Sequence, residues 1–242
     1  MLTIRVAGLA VGIDTADRRL EAACGPYLCR ETPRFTITLT DAERAAEAAS
    51  SPEAPEWEIE SMAIYRKLCL RALEDDCILF HCSALEVDGR GYLFAGPSGT
   101  GKSTHARLWR ELLGARALPV NDDKPLLRLM EGSWFVCGTP WNGKHGLGRC
   151  VQVPIQGICF LEQSGRNEIS PAESGEAIPR LLNQMLRPQE VEKMDRLLRL
   201  TENLIRQVPL WRLRCLPNRE AAALCYETMR GMVTDNEDQR GL

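Results

Sequence analysis

The segment Gly96-Pro97-Ser98-Gly99-Thr100-Gly101-Lys102-Ser103 constrains this chain more than any other. It satisfies every fixed position of the Gly-x-x-x-x-Gly-Lys-Ser/Thr pattern known as Walker A. The apolar run at 91–95 before it reads as a strand, and a helix is expected from Ser103 to about Leu113, closed by Gly114 at the position where a left-handed residue ends a helix. A strand that enters a glycine-rich turn and leaves as a helix aims backbone N–H groups and the positive end of the helix dipole at one point. Such a point suits phosphate oxygens. On this reading the loop and the adjoining Thr104 bind a nucleoside triphosphate, ATP, with Lys102 reaching the β- and γ-phosphates and Ser103 ligating Mg²⁺. An ordinary glycine turn with a solvated lysine is the competing reading, and it leaves the flanking strand and helix without a purpose.

The composition leaves room for such an architecture and closes off others. A chain of 242 residues, 44% hydrophobic and 26% charged, is large enough for one full domain with a small appendage. A net charge of -3 gives no general attraction for nucleic acid. No stretch approaches the roughly 18 apolar residues of a membrane span, and the opening residues lack the pattern of a secretory signal. A cytoplasmic protein without nucleic-acid or membrane partners is expected. The ten cysteines form no Cys-x-x-Cys pair, so most are expected to be buried as small hydrophobes.

Along the chain, residues 2–11 and 35–40 read as strands, with one or two helical turns between them at 17–24. Thr40 followed by Glu43 is a capping box opening a helix over 41–48. The Ser-Ser-Pro and second proline at 50–55 mark a boundary. The expected organisation is a small α+β subdomain at 1–55, a catalytic domain at 56–233 and a flexible tail at 234–242. Within the second part, 58–74 is an amphipathic helix, and 77–81 and 91–95 are strands joined across the turn signal Asp88-Gly89. Further strands are expected at 117–120, 134–137, 157–161 and 210–215, and helices at 177–186, 191–205 and 219–229.

Asn121-Asp122-Asp123-Lys124 follows the strand at 117–120, which is expected to lie beside the loop strand. One carboxylate there can hold the metal and the other can accept a proton from an attacking hydroxyl. A solvated turn is the alternative, because Asn-Asp-Asp is good turn composition. His81 ends a buried-looking strand, where a lone histidine is more often a satisfied core residue than a catalyst; next to the strand that delivers the loop it can pair with a carboxylate.

The run from His81 through Ser103, followed by Asp122-Asp123, resembles the core of the HPr serine kinase/phosphorylase family over about residues 70–162. That resemblance implies an α/β fold with a mixed sheet and a P-loop core related to phosphoenolpyruvate carboxykinase. It also implies catalytic roles for His81, Lys102, Asp122 and Asp123, with one aspartate as general base and the other in contact with the histidine or the metal. Which aspartate takes which role is left open. The first 70 residues do not match the amino-terminal domain of the bifunctional enzymes. The segment 138–148 is similar to smaller HPr-kinase-like proteins, so HPr is not the favoured acceptor.

Residues 139–148, rich in glycine, read equally as a surface loop with incidental charges or as a mobile loop able to close over a ligand, with Lys144 and Arg149 to neutralise phosphate and Trp141 as a flat apolar contact. Glu162, at the end of the strand at 157–161, is a further candidate metal carboxylate. The leading expectation is an ATP- and Mg²⁺-dependent kinase acting on a serine hydroxyl of a protein, peptide or free amino acid, in a chain that forms homo-oligomers if it follows the family. A nucleotide-dependent switch or ATPase, and an accessory that binds without turnover, are the alternatives.

Overall fold

The computed structural model describes residues 1–231. The tail expected at 234–242 lies outside the described residues. A small sheet is built from β1 (Leu2–Val6), β2 (Leu9–Ile13) and β3 (Phe35–Ile37), in that order. The single strand expected over 2–11 is therefore a hairpin. Ala7 and Gly8 take φ of 49° and 72°, the two left-handed residues a tight turn requires, and only Gly8 is a turn residue by composition. Between β2 and β3, α1 (Arg18–Cys24) begins at Asp17, whose carboxylate accepts the N–H groups of Arg19 and Leu20. α2 (Asp41–Ser50) opens with the Thr40–Glu43 capping box, both arms of which are formed.

α3 (Glu56–Ala72) joins this part to the rest. Its Arg66 grips the buried Glu47 of α2 with two nitrogens, at 2.6 and 3.0 Å. Ile64, Tyr65 and Leu68 of α3 share one apolar cluster with Ile4, Val11 and Ile13 from the small sheet and with Cys77, Leu126 and Cys137 from the large one. At about 1.5–3 kcal/mol for each large side chain taken fully from water, that common cluster is what holds the two sheets together.

The large sheet contains β4 (Cys77–Leu79), β5 (Cys82–Val87), β6 (Arg90–Ala95), β7 (Ala117–Asn121), β8 (Leu126–Met130), β9 (Ser133–Cys137) and β10 (Gln152–Gln163). Its order is β4-β8-β9-β10-β6-β5-β7, and β12 (Leu210–Cys215) pairs with β10 and with β11 (Glu168–Pro171). β10 runs parallel to β6 and β12, and every other pairing in this sheet is antiparallel, which makes the molecule a mixed α/β fold. Alternation along the central strands sorts the core into two layers. Leu93, Ala95, Ile158 and Phe160 face α5 (Ser174–Leu182) and α6 (Val191–Gln207), whereas Tyr92, Phe94, Cys159 and Leu161 face α4 (Lys102–Leu113) and α7 (Arg219–Arg230).

Three expectations are corrected here. The strand at 77–81 does not pair with the loop strand; β4 ends at Leu79 and pairs with β8, while β5 is the partner of β6 across Asp88-Gly89. β7 lies next to β5, so one strand separates it from β6. The helix expected over 177–186 stops at Leu182, and Met185 bridges to Phe80 in extended form. The cause is common to all three. Each depends on which distant segment takes a strand edge, and local periodicity does not encode that choice.

Candidate functional site

β6, β7 and β10 share one direction, because β7 is antiparallel to β5, β5 is antiparallel to β6, and β10 is parallel to β6. Their carboxy-terminal ends therefore meet at one edge, bringing together Gly96, Asp122 and Glu162. His81 stands at the same edge, one residue before Cys82, which is paired with Ala95. Even with the strand order differing from expectation, the antiparallel pairing of β5 keeps His81 beside the glycine-rich loop.

From Gly96 to Gly101 the chain turns from β6 into α4, with Pro97, Ser98 and Gly99 exposed. Gly96 has φ of 152°, and a Cβ there would meet Thr100 Oγ1 at 3.0 Å and Leu161 O at 3.2 Å, so a side chain would be strained in conformation and tightly crowded. The Thr100 hydroxyl donates to Pro97 O inside the turn, and Gln163 Nε2 donates to Gly99 O at 3.1 Å from the end of β10. Lys102 is buried and donates to Gly96 O at 2.9 Å and Pro97 O at 3.3 Å. Burial lowers its ammonium pKa, against the opposing pull of Cys82 and Asp123. Ser103 is exposed on the first turn of α4.

The two aspartates face different surroundings. Asp122 Oδ1 accepts the Gly143 N–H at 2.6 Å, and Asp122 lines a cavity of about 380 Å³ together with Ser83, Ser103, Thr104, Asn121 and His145. Asp123 Oδ1 lies 3.1 Å from His81 Nε2, and Asp123 Oδ2 lies 3.5 Å from Lys124 Nζ. Burial pushes the Asp123 carboxyl up, but the His81 hydrogen bond and the Lys124 charge outweigh it and hold the group below the usual aspartate range. His81 and Lys124 line a separate cavity of about 320 Å³. A third cavity, about 470 Å³, opens between Gly99, Thr100, Gly101, Thr104, Leu161 and Cys215 on the other flank of the loop.

Two residues not singled out in the sequence organise this edge. Asn121 is fully buried; its Oδ1 accepts the N–H groups of Asp123 (2.9 Å) and Lys124 (2.7 Å), which shapes the turn carrying both carboxylates. Its Nδ2 donates to Thr139 Oγ1, Trp141 O and Asn142 Oδ1, which ties that turn to the 139–148 segment. Gln184 accepts the His81 N–H at 2.7 Å through its own carbonyl, and its side-chain amide, with nitrogen inward, donates to Gly96 O and His81 O at 3.1 Å. An asparagine before Asp-Asp carried a turn signal. Gln184 carried none, because its partners lie about a hundred residues away.

The segment 139–148 is irregular as expected, but its base is fastened. Thr139 and Trp141 are buried, and Gly138 packs so closely on the backbone that a Cβ would lie 1.8 Å from Arg149 O. Trp141 stacks on Tyr65 with centroids 4.2 Å apart and donates from Nε1 to Ser61, so its ring belongs to the core shared with α3. Lys144 is exposed at the tip of the segment. Arg149 is committed to Glu86 and to Pro119 O. Glu162 is bound by Arg180 at 2.6 Å and Arg214 at 3.4 Å; burial pushes its carboxyl up, and these arginines outweigh that and hold it low.

Among the described residues no group of three His, Cys, Asp or Glu side chains gathers as a metal cage. Mg²⁺ needs none, since it keeps waters and takes one or two protein ligands plus phosphate oxygens. Ser103 and Asp122, hydroxyl and carboxylate on one cavity wall, fit that requirement. Glu162, held by two arginines, fits it poorly. No described helix is long and apolar enough to cross a membrane. Seven of the ten cysteines are buried and all ten are free.

Compared with known proteins, residues 52–218 match the family model described as SynChlorMet cassette protein ScmC. No curated protein matches. Among solved structures the chain is similar to the Hpr(Ser) kinase/phosphatase from Coxiella burnetii, at 14% identity and a TM-score of 0.36, over 63% of this chain and 94% of that one. That likeness is too distant to support a functional argument.

Proposed function

This chain belongs to the SynChlorMet cassette protein ScmC family, and we propose that it is an ATP- and Mg²⁺-dependent kinase that phosphorylates a serine hydroxyl. The observation that carries this reading is the division of the two aspartates. Asp122 shares a cavity with Ser103, while Asp123 is paired with His81, which lines a different cavity. The second arrangement supplies an ionised carboxylate oriented by an imidazole, the kind of group that proton transfer from a hydroxyl requires.

The Gly96–Gly101 amides and the start of α4 would receive the phosphates, in the manner of a P-loop core. Lys102 would exchange the Gly96 and Pro97 carbonyls for the β- and γ-phosphate oxygens. Ser103 and Asp122 would hold Mg²⁺, whose charge offsets that of the phosphates. Asp123, ionised at neutral pH and oriented by His81, accepts the proton of the attacking hydroxyl. As the new O–P bond forms, the bond between the γ-phosphorus and the bridging oxygen breaks and ADP departs with that electron pair. The acceptor is a serine in a protein, a peptide or the free amino acid.

Incubation with γ-labelled ATP and candidate acceptors tests the reading, since label moves to an acceptor, to inorganic phosphate or nowhere for a kinase, a switch and a passive binder respectively. Lys102→Ala is expected to abolish nucleotide binding. Asp123→Asn is expected to keep binding and to lower transfer by on the order of 10²–10⁴. If Asp123→Asn transferred label at the wild-type rate, Asp123 would not be the base.

A further inference from the structure

The cavity on the His81–Asp123 side has a lining unlike that of the Ser103 cavity, and the two have no lining residue in common. Its apolar walls are Met62, Tyr65, Leu79, Trp141, Met185 and Leu186, contributed by α3, the end of β4, the segment after β9 and the chain after α5, and Glu47, Arg66, His81, Lys124, Asn183 and Gln184 complete the lining. Several of its polar groups already have partners within the fold. Trp141 Nε1 donates to Ser61, Tyr65 OH donates to Lys124 O at 2.6 Å, Arg66 is paired with Glu47, and Lys124 stands beside Asp123. Gln184 is spent on His81 and Gly96. What its buried walls, Tyr65, Trp141 and Met185, offer a ligand is carbon.

We propose that this cavity is the acceptor subsite, and that it receives an apolar side chain neighbouring the phosphorylated serine in a peptide. The identity of the reacting hydroxyl rests on the kinase reading above. The existence and chemistry of the pocket do not. A cavity of about 320 Å³ has room for one large side chain, and His81 in its wall puts that side chain next to the residue paired with the proton acceptor. Free serine has no group to fill it. A charged side chain placed against Tyr65, Trp141 and Met185 would surrender hydration to apolar walls.

The test uses the full chain with Mg²⁺ and three fluorescein-labelled serine peptide pools, with a non-hydrolysable ATP analogue to measure binding and, in a parallel assay that adds free serine, γ-labelled ATP to measure transfer. The residues flanking serine are Leu, Met or Phe in the first pool, Asp or Lys in the second, and Gly in the third. Fluorescence anisotropy is expected to give binding on the order of tenfold tighter for the apolar pool than for the glycine pool. Met62→Trp, which fills the pocket from a half-buried position on α3, is expected to remove that preference while nucleotide affinity stays at the wild-type value. Met62→Gln, which changes polarity and not volume, serves as the second variant. Equal binding of the three pools, a preference that survives both variants, or label accepted by free serine alone overturns the inference. The two readings fail separately. Apolar preference without any transfer of label from ATP would leave the pocket a peptide subsite and refute the kinase, whereas equal transfer to all pools would keep the kinase and refute the pocket.

Discussion

Replacing Asn121 with alanine would remove the joint between the aspartate turn and the segment that follows β9. The side chain is fully buried, accepts two backbone N–H groups at 2.9 and 2.7 Å, and donates to acceptors on Thr139, Trp141 and Asn142 at 3.0–3.2 Å. Asn121→Ala strands the Asp123 and Lys124 N–H groups and leaves their neighbours short of a donor. A buried polar group left without a partner costs about 1–3 kcal/mol. Both stranded N–H groups belong to half-buried residues, so the lower part of that range applies to each. The sum is about 2–4 kcal/mol, which for a chain of this size lowers the melting temperature by roughly 5–12 °C. Circular dichroism during a thermal scan at neutral pH measures it. Asn121→Asp keeps an acceptor for the two N–H groups, but it loses the donors and buries a charge, so it is expected to be at least as unstable. A loss below about 1 °C for Asn121→Ala would show that the turn does not depend on this side chain and would refute the reasoning.

Gly138→Ala is expected to cost far more stability than Gly165→Ala in the same thermal scan, because a Cβ at 138 collides with the Arg149 carbonyl while one at 165 meets nothing within 4 Å. The Asp123 carboxyl has a depressed value in the folded chain, so its contribution to stability is present above its unfolded value and is lost as pH falls through the folded one. Burial alone would raise that value; His81→Ala is therefore expected to move the acid limb of melting temperature against pH to higher pH, and an unchanged limb would contradict the pairing. Maleimide labelling followed by mass spectrometry is expected to modify Cys150 first, because it is the exposed cysteine, and to leave the seven buried thiols unmodified until denaturant is added.

The parts of the fold readable in the sequence are those whose cause lies within a few residues. The strand, glycine turn and helix around Gly96–Ser103, the Thr40–Glu43 box, the turn at Asp88-Gly89 and the stop at Gly114 all follow from local conformation and local hydrogen bonding. Four residues of the candidate site were legible for the same reason, since Lys102, Ser103, Asp122 and Asp123 sit at fixed offsets from strand ends. Trp141 shows the limit. An aromatic in a glycine-rich segment reads as a surface contact until Tyr65, 76 residues earlier in the chain, is found stacked on it.

By itself, then, the sequence determined that a glycine-rich loop joins a strand to a helix, with a histidine before it and two carboxylates after it. Tertiary structure decided which strands stand between them, because an edge is taken by whichever distant segment buries the most apolar surface there. It thereby divided the aspartates, Asp122 to the cavity of Ser103 and Asp123 to His81. Adjacent residues in a turn point to different sides, and what waits on each side is supplied by chain that is remote in sequence.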